Sequence, residues 1–250
     1  MSDSVLGNYR DRLGASEAPK RDLVKMRTQR LLHHKHKASL SYKTVLINGV
    51  QQNVSIIDTT DLSEKKIFSM PSETLLHGGL VDWEDSKWLI TEINAHSELY
   101  EEGRIKRCNH LLKWKDNDGM IQERWCIVED GTKYLIGEKD GRDGRNTVMT
   151  IGDARLALTI AKDEATEQFK RGTRFIIDDV DSDEQLAYEI TKSNRLFNIY
   201  NDIGVYRFIL NEVVITDDDN MDIRVADYVS RGFKEPVVDP EEIRETGVYL

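Results

Sequence analysis

The sequence predicts a mainly β protein: a small β-barrel domain plus a second β-sandwich domain, with an N-terminal helical arm and an extended C-terminal tail. Three observations carry that reading. From Ser39 to Ala226 the apolar residues alternate or run at strand lengths, tight-turn signals built from Asn, Asp and Gly separate those runs, and the one stretch with helical spacing precedes them all.

The helical stretch is Arg21–Lys37, where Leu23, Met26, Arg30, Leu31 and His34 recur near helical spacing and Lys and Arg fill the rest of the surface. Pro19, with Gly14, Ala15 and Ser16, separates it from a short leading segment at Tyr9–Leu13. Residues 1–38 therefore read as an arm outside the core. Next come Leu40, Tyr42, Val45 and Ile47, then Asn48-Gly49, then Val50, Val54 and Ile56. Asn-Gly between two β-rich runs marks a hairpin, because both central positions of its turn need φ > 0.

Gly79–Trp83, a turn at Glu84–Ser86, and Lys87–Asn94 form a second strand pair. After a Glu- and Gly-rich loop at Ser97–Gly103, Arg107–Lys115 and Met120–Val128 form a third around Asp116–Gly119. These strands place a small barrel over residues 39–138. The polar loop Lys139–Asn146 (KDGRDGRN) sets the boundary. Residues 147–229 then supply Thr147–Thr150, Ala154–Ile160, Thr173–Ile177, Glu189–Ser193, Val205–Ile215 and Met221–Ala226 as strands of a sandwich. Residues 230–250 turn polar and acidic, with Pro236, Pro240 and the run Asp239–Glu245, and read as a tail that orders against a neighbour.

With 250 residues, two modest cores are expected. A net charge of −10 and a pI near 5.2 argue against a protein that coats the nucleic-acid backbone, because that binding rests on Lys and Arg neutralising phosphates. Cys108 and Cys126 are the only cysteines, too few for a disulfide scaffold or a four-cysteine zinc site. Met1–Arg12 lacks the apolar run of a secretory signal, and nothing approaches the roughly 20 apolar residues of a membrane-spanning helix. Synthesis in a cytosol, with no membrane partner, is the expectation.

Motifs that carry chemistry are absent. There is no nucleophile elbow, phosphate-binding loop, H-E-x-x-H or G-x-G-x-x-G, so no catalytic, cofactor-binding or metal-binding residue is assigned and no enzyme is expected. Asp179, Asp181 and Asp183 have the alternating spacing of a calcium loop, but Glu184 and Ile190 stand where that loop needs Gly and Glu, so a solvated turn is the better reading. Asp217–Asn220, between two apolar runs, reads as a hairpin loop. His33, His34 and His36 are flanked by Arg30, Lys35 and Lys37, which disfavour a bound cation and suit an acidic partner surface or nucleic acid in a narrow channel. Trp83, Trp88, Trp114 and Trp125 all fall at strand positions of the first β domain and read as buried aromatics ahead of a sugar-binding shelf.

The order of these elements resembles structural proteins of bacteriophages found in prophages of Gram-positive bacteria, similar to the head-closure (stopper) proteins of long-tailed phages. The stretches that carry it are NYRDRL (Asn8–Leu13), LSYKTVLING (Leu40–Gly49), SEKKIFSMP (Ser63–Pro71), CNHLLKW (Cys108–Trp114), ERWCIVEDGTKYL (Glu123–Leu135) and NDIGVYRFILNEV (Asn201–Val213). Gly79–Ile93 looks like the strand pair that builds the stopper barrel. The sandwich after Thr147 and the long arm depart from the one-domain stopper pattern. The resemblance implies a virion protein of the head-to-tail connector, assembled in the bacterial host cytoplasm into a ring that closes the head after DNA packaging and docks the tail. It would meet portal or adaptor proteins on one side, tail terminator or tail tube on the other, and packaged DNA in the central channel, with Ser97–Gly103 or KDGRDGRN facing a lumen or a neighbouring ring. A tail or baseplate component, a carbohydrate-binding module for host recognition and a hydrolase with an unrecognised site are the alternatives.

Overall fold

The computed structural model describes residues 20–71, 73–94, 99–131, 155–178, 185–195 and 198–229, which divide into two compact units. The first holds the described residues up to Cys108 together with Asn198–Val205, and the second holds the rest. The architecture is mainly β, one closed barrel and one curled sheet, as the sequence predicts. The leading segment at Tyr9–Leu13, the loop Lys139–Asn146, the strand at Thr147–Thr150, the acidic triplet Asp179, Asp181 and Asp183, and the tail 230–250 lie outside the described residues.

In the first unit, α1 (Lys20–Lys37) precedes β1 (Tyr42–Ile47), β2 (Val50–Asp58), β3 (Glu64–Ser69), β4 (Leu80–Trp83), β5 (Ser86–Asn94) and β6 (Glu102–Arg107). The strands close in the order β1-β2-β3-β6-β5-β4. Two-residue turns fix the register of two hairpins. Asn48 and Gly49 (φ 49° and 79°) join β1 to β2, and Glu84 and Asp85 (φ 47° and 55°) join β4 to β5. Both turns have positive φ at each central residue, the conformation that matches strand twist. Inward alternation then gathers Val45, Ile47, Val54, Ile56, Ile67, Val81, Trp88, Ile90 and Ile105 into one core.

The barrel closes where Leu46 and Ile47 of β1 pair with Asp82 and Val81 of β4. Asn48 extends this seam, since its N–H donates to the Leu80 carbonyl at 2.9 Å and its Oδ1 accepts from the Leu80 N–H at 2.8 Å. One residue thus serves both the turn and the closure. A late piece of chain, the hairpin of β12 (Ile199–Tyr200) with the start of β13 (Ile203–Val213), belongs to this unit through Asn198–Val205. Gly78 (φ 78°) lies so close to it that a Cβ would stand 2.2 Å from the Gly204 carbonyl oxygen.

The second unit orders its strands β10-β11-β13-β9-β8-β7, where β7 is His110–Lys115, β8 Ile121–Asp130, β9 Arg155–Ala161, β10 Arg174–Asp178 and β11 Gln185–Asn194. The edge strands β10 and β7 lie against each other. A one-turn helix, α2 (Glu164–Glu167), is set by Asp163, whose Oδ1 accepts from the Thr166 N–H at 2.8 Å while the Thr166 hydroxyl accepts from the Asp163 N–H at 2.9 Å. The turn that follows delivers Phe169, fully buried, into edge-on contact with Trp114 at 4.8 Å and Phe175 at 4.9 Å.

Several sequence expectations are corrected. Arg107–Lys115 is not one strand: β6 ends at Arg107, β7 begins at His110, and β8 pairs with β9, so β7 and β8 belong to the second sheet with Trp114 and Trp125. The change of unit therefore comes at Cys108–Asn109, ahead of the expected boundary at Lys139–Asn146. Glu102 and Gly103 are strand and not loop, because Gly103 pairs with both Ile67 and Ile93. Met221–Ala226 is not a strand. Only Asn220 and Val225 bridge, and Arg224 and Asp227 take positive φ, which breaks an extended run.

Asp217–Asn220 is likewise more than a hairpin loop. The Asp219 side chain is fully buried and bonds to the Arg174 guanidinium at 2.8 and 3.1 Å, while Arg174 also reaches Asp227 at 2.7 Å. Burial works to raise the Asp219 carboxyl, but the Thr216 and Asp227 N–H groups and Arg174 outweigh it and hold the group below its usual 3.8.

Two outcomes test these contacts. Gly49→Ala, with open space around its Cβ, should cost about 1 kcal/mol in urea unfolding, as expected for αL backbone without glycine, whereas Gly78→Ala should cost clearly more; equal losses would contradict the close approach to Gly204. Asp219→Asn should cost about 1–3 kcal/mol, the usual effect of weakening hydrogen bonds to a charged group, because Arg174 keeps Asp227 as a partner. Because the folded carboxyl is depressed, its stabilisation is present above the usual 3.8 and lost as pH falls through the folded value. Thermal scans should show that acid-side slope in the parent and a shallower one in Asp219→Asn.

Candidate interaction surface

A closed barrel exposes no strand edge, so the surface that the first unit offers consists of its ends, its loops and α1. No Gly or Pro interrupts α1, Asp22 sits in its first turn and His34–Lys37 in its last, and both ends complement the helix dipole. No residue of α1 is buried. Leu23, Lys25, Thr28, Gln29, Leu32, His33 and His36 are half-buried at helical spacing, which defines the face toward the barrel. Val24, Met26 and Leu31 remain 50–56% exposed, interleaved with lysines and arginines.

His36 anchors the C-terminal end of the helix. Its Nδ1 lies 2.7 Å from Ser55 Oγ of β2, and its ring meets Tyr100 edge-on at 6.2 Å, with Tyr100 in turn packed against Phe68 of β3 at 5.9 Å. Burial, reinforced by His33, lowers the His36 pKa from its usual 6.5. Toward the other end, Met26, Gln29, Arg30, His33 and His34 form an open depression of about 440 Å³ with Pro71, two residues beyond β3.

Leu40 and Leu62, 96% and 93% exposed, stand at one end of the barrel, where β1 begins and β2 turns into β3. Side-chain bonds shape the loop that presents Leu62: Thr59 Oγ1 donates to the Glu64 carbonyl at 2.8 Å, and Asp61 Oδ1 accepts from the Ser63 N–H at 2.8 Å. Ordered apolar side chains of this kind are suited to a neighbour's pocket, since little side-chain or loop ordering is left to pay on association.

The sequence assigned no catalytic, cofactor or metal residue. The three histidines of α1 do not converge, and no group of three or more His, Cys, Asp or Glu placed to hold a metal ion occurs among the described residues. Trp88 and Trp114 are buried, and Trp83 and Trp125 half-buried. Lys65 Nζ stands 5.7 Å from the ring centres of both Trp83 and Trp88. Cys126 is fully buried, and burial pushes the Cys108 thiol up to about 12, so both are inert apolar side chains. Sequence reasoning missed the exposed leucines, because exposure depends on which turns the strands form. No helix among the described residues is long and apolar enough to cross a membrane.

The helix and the barrel together form one recognisable module. Residues 22–107 match the YomX N-terminal domain. That family is phage-related. The match runs from the first turn of α1 to the last residue of β6, so it takes in the helix with the whole barrel and stops where the chain changes sheet. No curated protein and no solved structure matches the chain.

A proton titration checks the anchor. Since both causes act against the charged form, the His36 ring should titrate below 6.5 by NMR, and helix docking should weaken as pH falls from 6.5 through that midpoint. A midpoint at or above 6.5 would contradict the packing of His36 on the barrel.

Proposed function

We propose that this chain is a structural component of a tailed-phage virion that forms a ring at the head-to-tail connector, closes the head after DNA packaging and docks the tail. One observation carries the reading: the helix-plus-barrel module is similar to a phage-related domain family. The physical character of the chain supports it. A closed barrel is stiff and has no strand edge on which to aggregate, while an unburied basic helix and exposed leucines on ordered turns are contact elements awaiting a neighbour.

The chain works in this reading by shape and contact, without a cofactor. Ring neighbours meet through heterologous patches, one surface of each copy against a different surface of the next. Portal or adaptor proteins lie on the head side and tail terminator or tail tube on the tail side, with DNA in the channel. The tryptophans weigh against a carbohydrate shelf, since none is among the strongly exposed apolar side chains.

Deletion of the gene from an inducible prophage tests the placement. DNA-filled or leaking heads beside separate, complete tails are expected in electron micrographs. Heads that lack only normal tails or baseplates would move the chain to the tail, and normal infectious particles would remove it from the virion.

A further inference from the structure

Charge is distributed unevenly along this chain. The whole protein stands at −10, yet α1 holds seven lysines and arginines against Asp22 alone, which puts +6 on eighteen residues and leaves −16 on the others. The helix also presents Val24, Met26 and Leu31 outward, and beside it Met26, Gln29, Arg30, His33 and His34 form the depression with Pro71. Two classes of partner satisfy the charge. Nucleic acid offers phosphates but no aliphatic surface for Met26 and Pro71 in the depression, whereas an acidic peptide with interspersed aliphatic side chains meets both needs.

Such a sequence lies in the chain itself. Residues 235–245 (EPVVDPEEIRE) place Val237, Val238 and Ile243 among Glu235, Asp239, Glu241, Glu242 and Glu245, with Arg244 the only cation. We propose that the depression beside α1 is a docking site for this acidic C-terminal segment of a second copy. The inference rests on the proposed self-assembly and specifies its contact: the basic helix of one subunit and the acidic segment of the next are different patches, and each copy offers both. A pairing of that kind propagates around a ring. Aliphatic side chains would fill the depression between Met26 and Pro71, and carboxylates would lie along Arg27, Arg30 and Lys35.

Disulfide trapping in the full-length chain tests the contact. Two variants, His34→Cys and Glu242→Cys, are mixed at low salt and oxidised; the native Cys108 and Cys126 are 7% and 0% exposed and do not compete. A cross-linked heterodimer is expected. Its yield should fall about tenfold when Arg27→Glu and Arg30→Glu are added to the first variant, as two lost ion pairs would give, and recover when Glu241→Lys is added to the second. Circular dichroism confirms that each variant is folded. Absence of the heterodimer, or a yield indifferent to these charges, overturns the proposal, as does a cross-link that forms only within one chain when both cysteines are placed together. Duplex DNA bound through Arg27 and Arg30 without any heterodimer also overturns it, in favour of nucleic acid. A ring seen in particles without the cross-link would overturn this contact alone and leave the proposed assembly standing.

Discussion

The seam between β1 and β4 is the constraint on which the first unit depends. Only two residue pairs join these strands, Leu46 with Asp82 and Ile47 with Val81, and the bracket from Asn48 to Leu80 completes them. Without that seam the β1–β2–β3–β6–β5–β4 sheet would have two open edges, each a row of unmet N–H and carbonyl groups ready to pair with another chain. With it, every strand has two neighbours and the apolar side chains enclose one core. Closure also decides where interaction can occur, because a barrel without edges leaves its ends, its turns and the helix on its wall.

The second unit meets the same requirement by another route. Its sheet brings β10 and β7 against each other, and the segment after β13 is tied to both. Arg174 of β10 holds Asp219, Asp227 and the Val214 carbonyl, while the buried Lys115 of β7 donates to the Tyr228 carbonyl at 3.0 Å and lies over the Tyr228 ring. Ala226, with Met221 at its side, packs on Ile176 and Ala187. Burying a guanidinium beside a carboxylate is costly unless the charges are bonded, and Arg174 bonds both oxygens of Asp219 and one of Asp227. Polar bonds thus stand in for strand pairing along those edges.

Much of this was legible in the sequence. Asn48-Gly49 gave the hairpin because backbone sterics allow few residues at two successive positive φ values, and the alternation in Val45, Ile47, Val54 and Ile56 gave the inward face. The helix at Lys20–Lys37 was legible from its spacing and its basic surface. β3 was not, because Lys65 and Lys66 hide its alternation and only Ile67 and Ser69 of its strand are fully buried. The break at Cys108–Asn109 was missed because both flanking runs are strands, and a change of sheet leaves no trace in period-two patterning. Asp219 was read only as part of a hairpin loop because its partner Arg174 lies 45 residues earlier, and local spacing cannot reveal a long-range ion pair. The candidate surface was visible as a basic helix; the apolar depression beside it depends on Pro71, which only the fold brings near.

In the proposed assembly, rigid β modules carry a charged helix whose cover would come from a neighbouring subunit. Cryo-electron microscopy of purified phage particles, with this chain traced in the map, tests that most directly. The expected result is a ring between portal and tail in which α1 lies at the contact between adjacent copies. Particles that lack the chain, or a ring in which α1 faces only solvent, would contradict it.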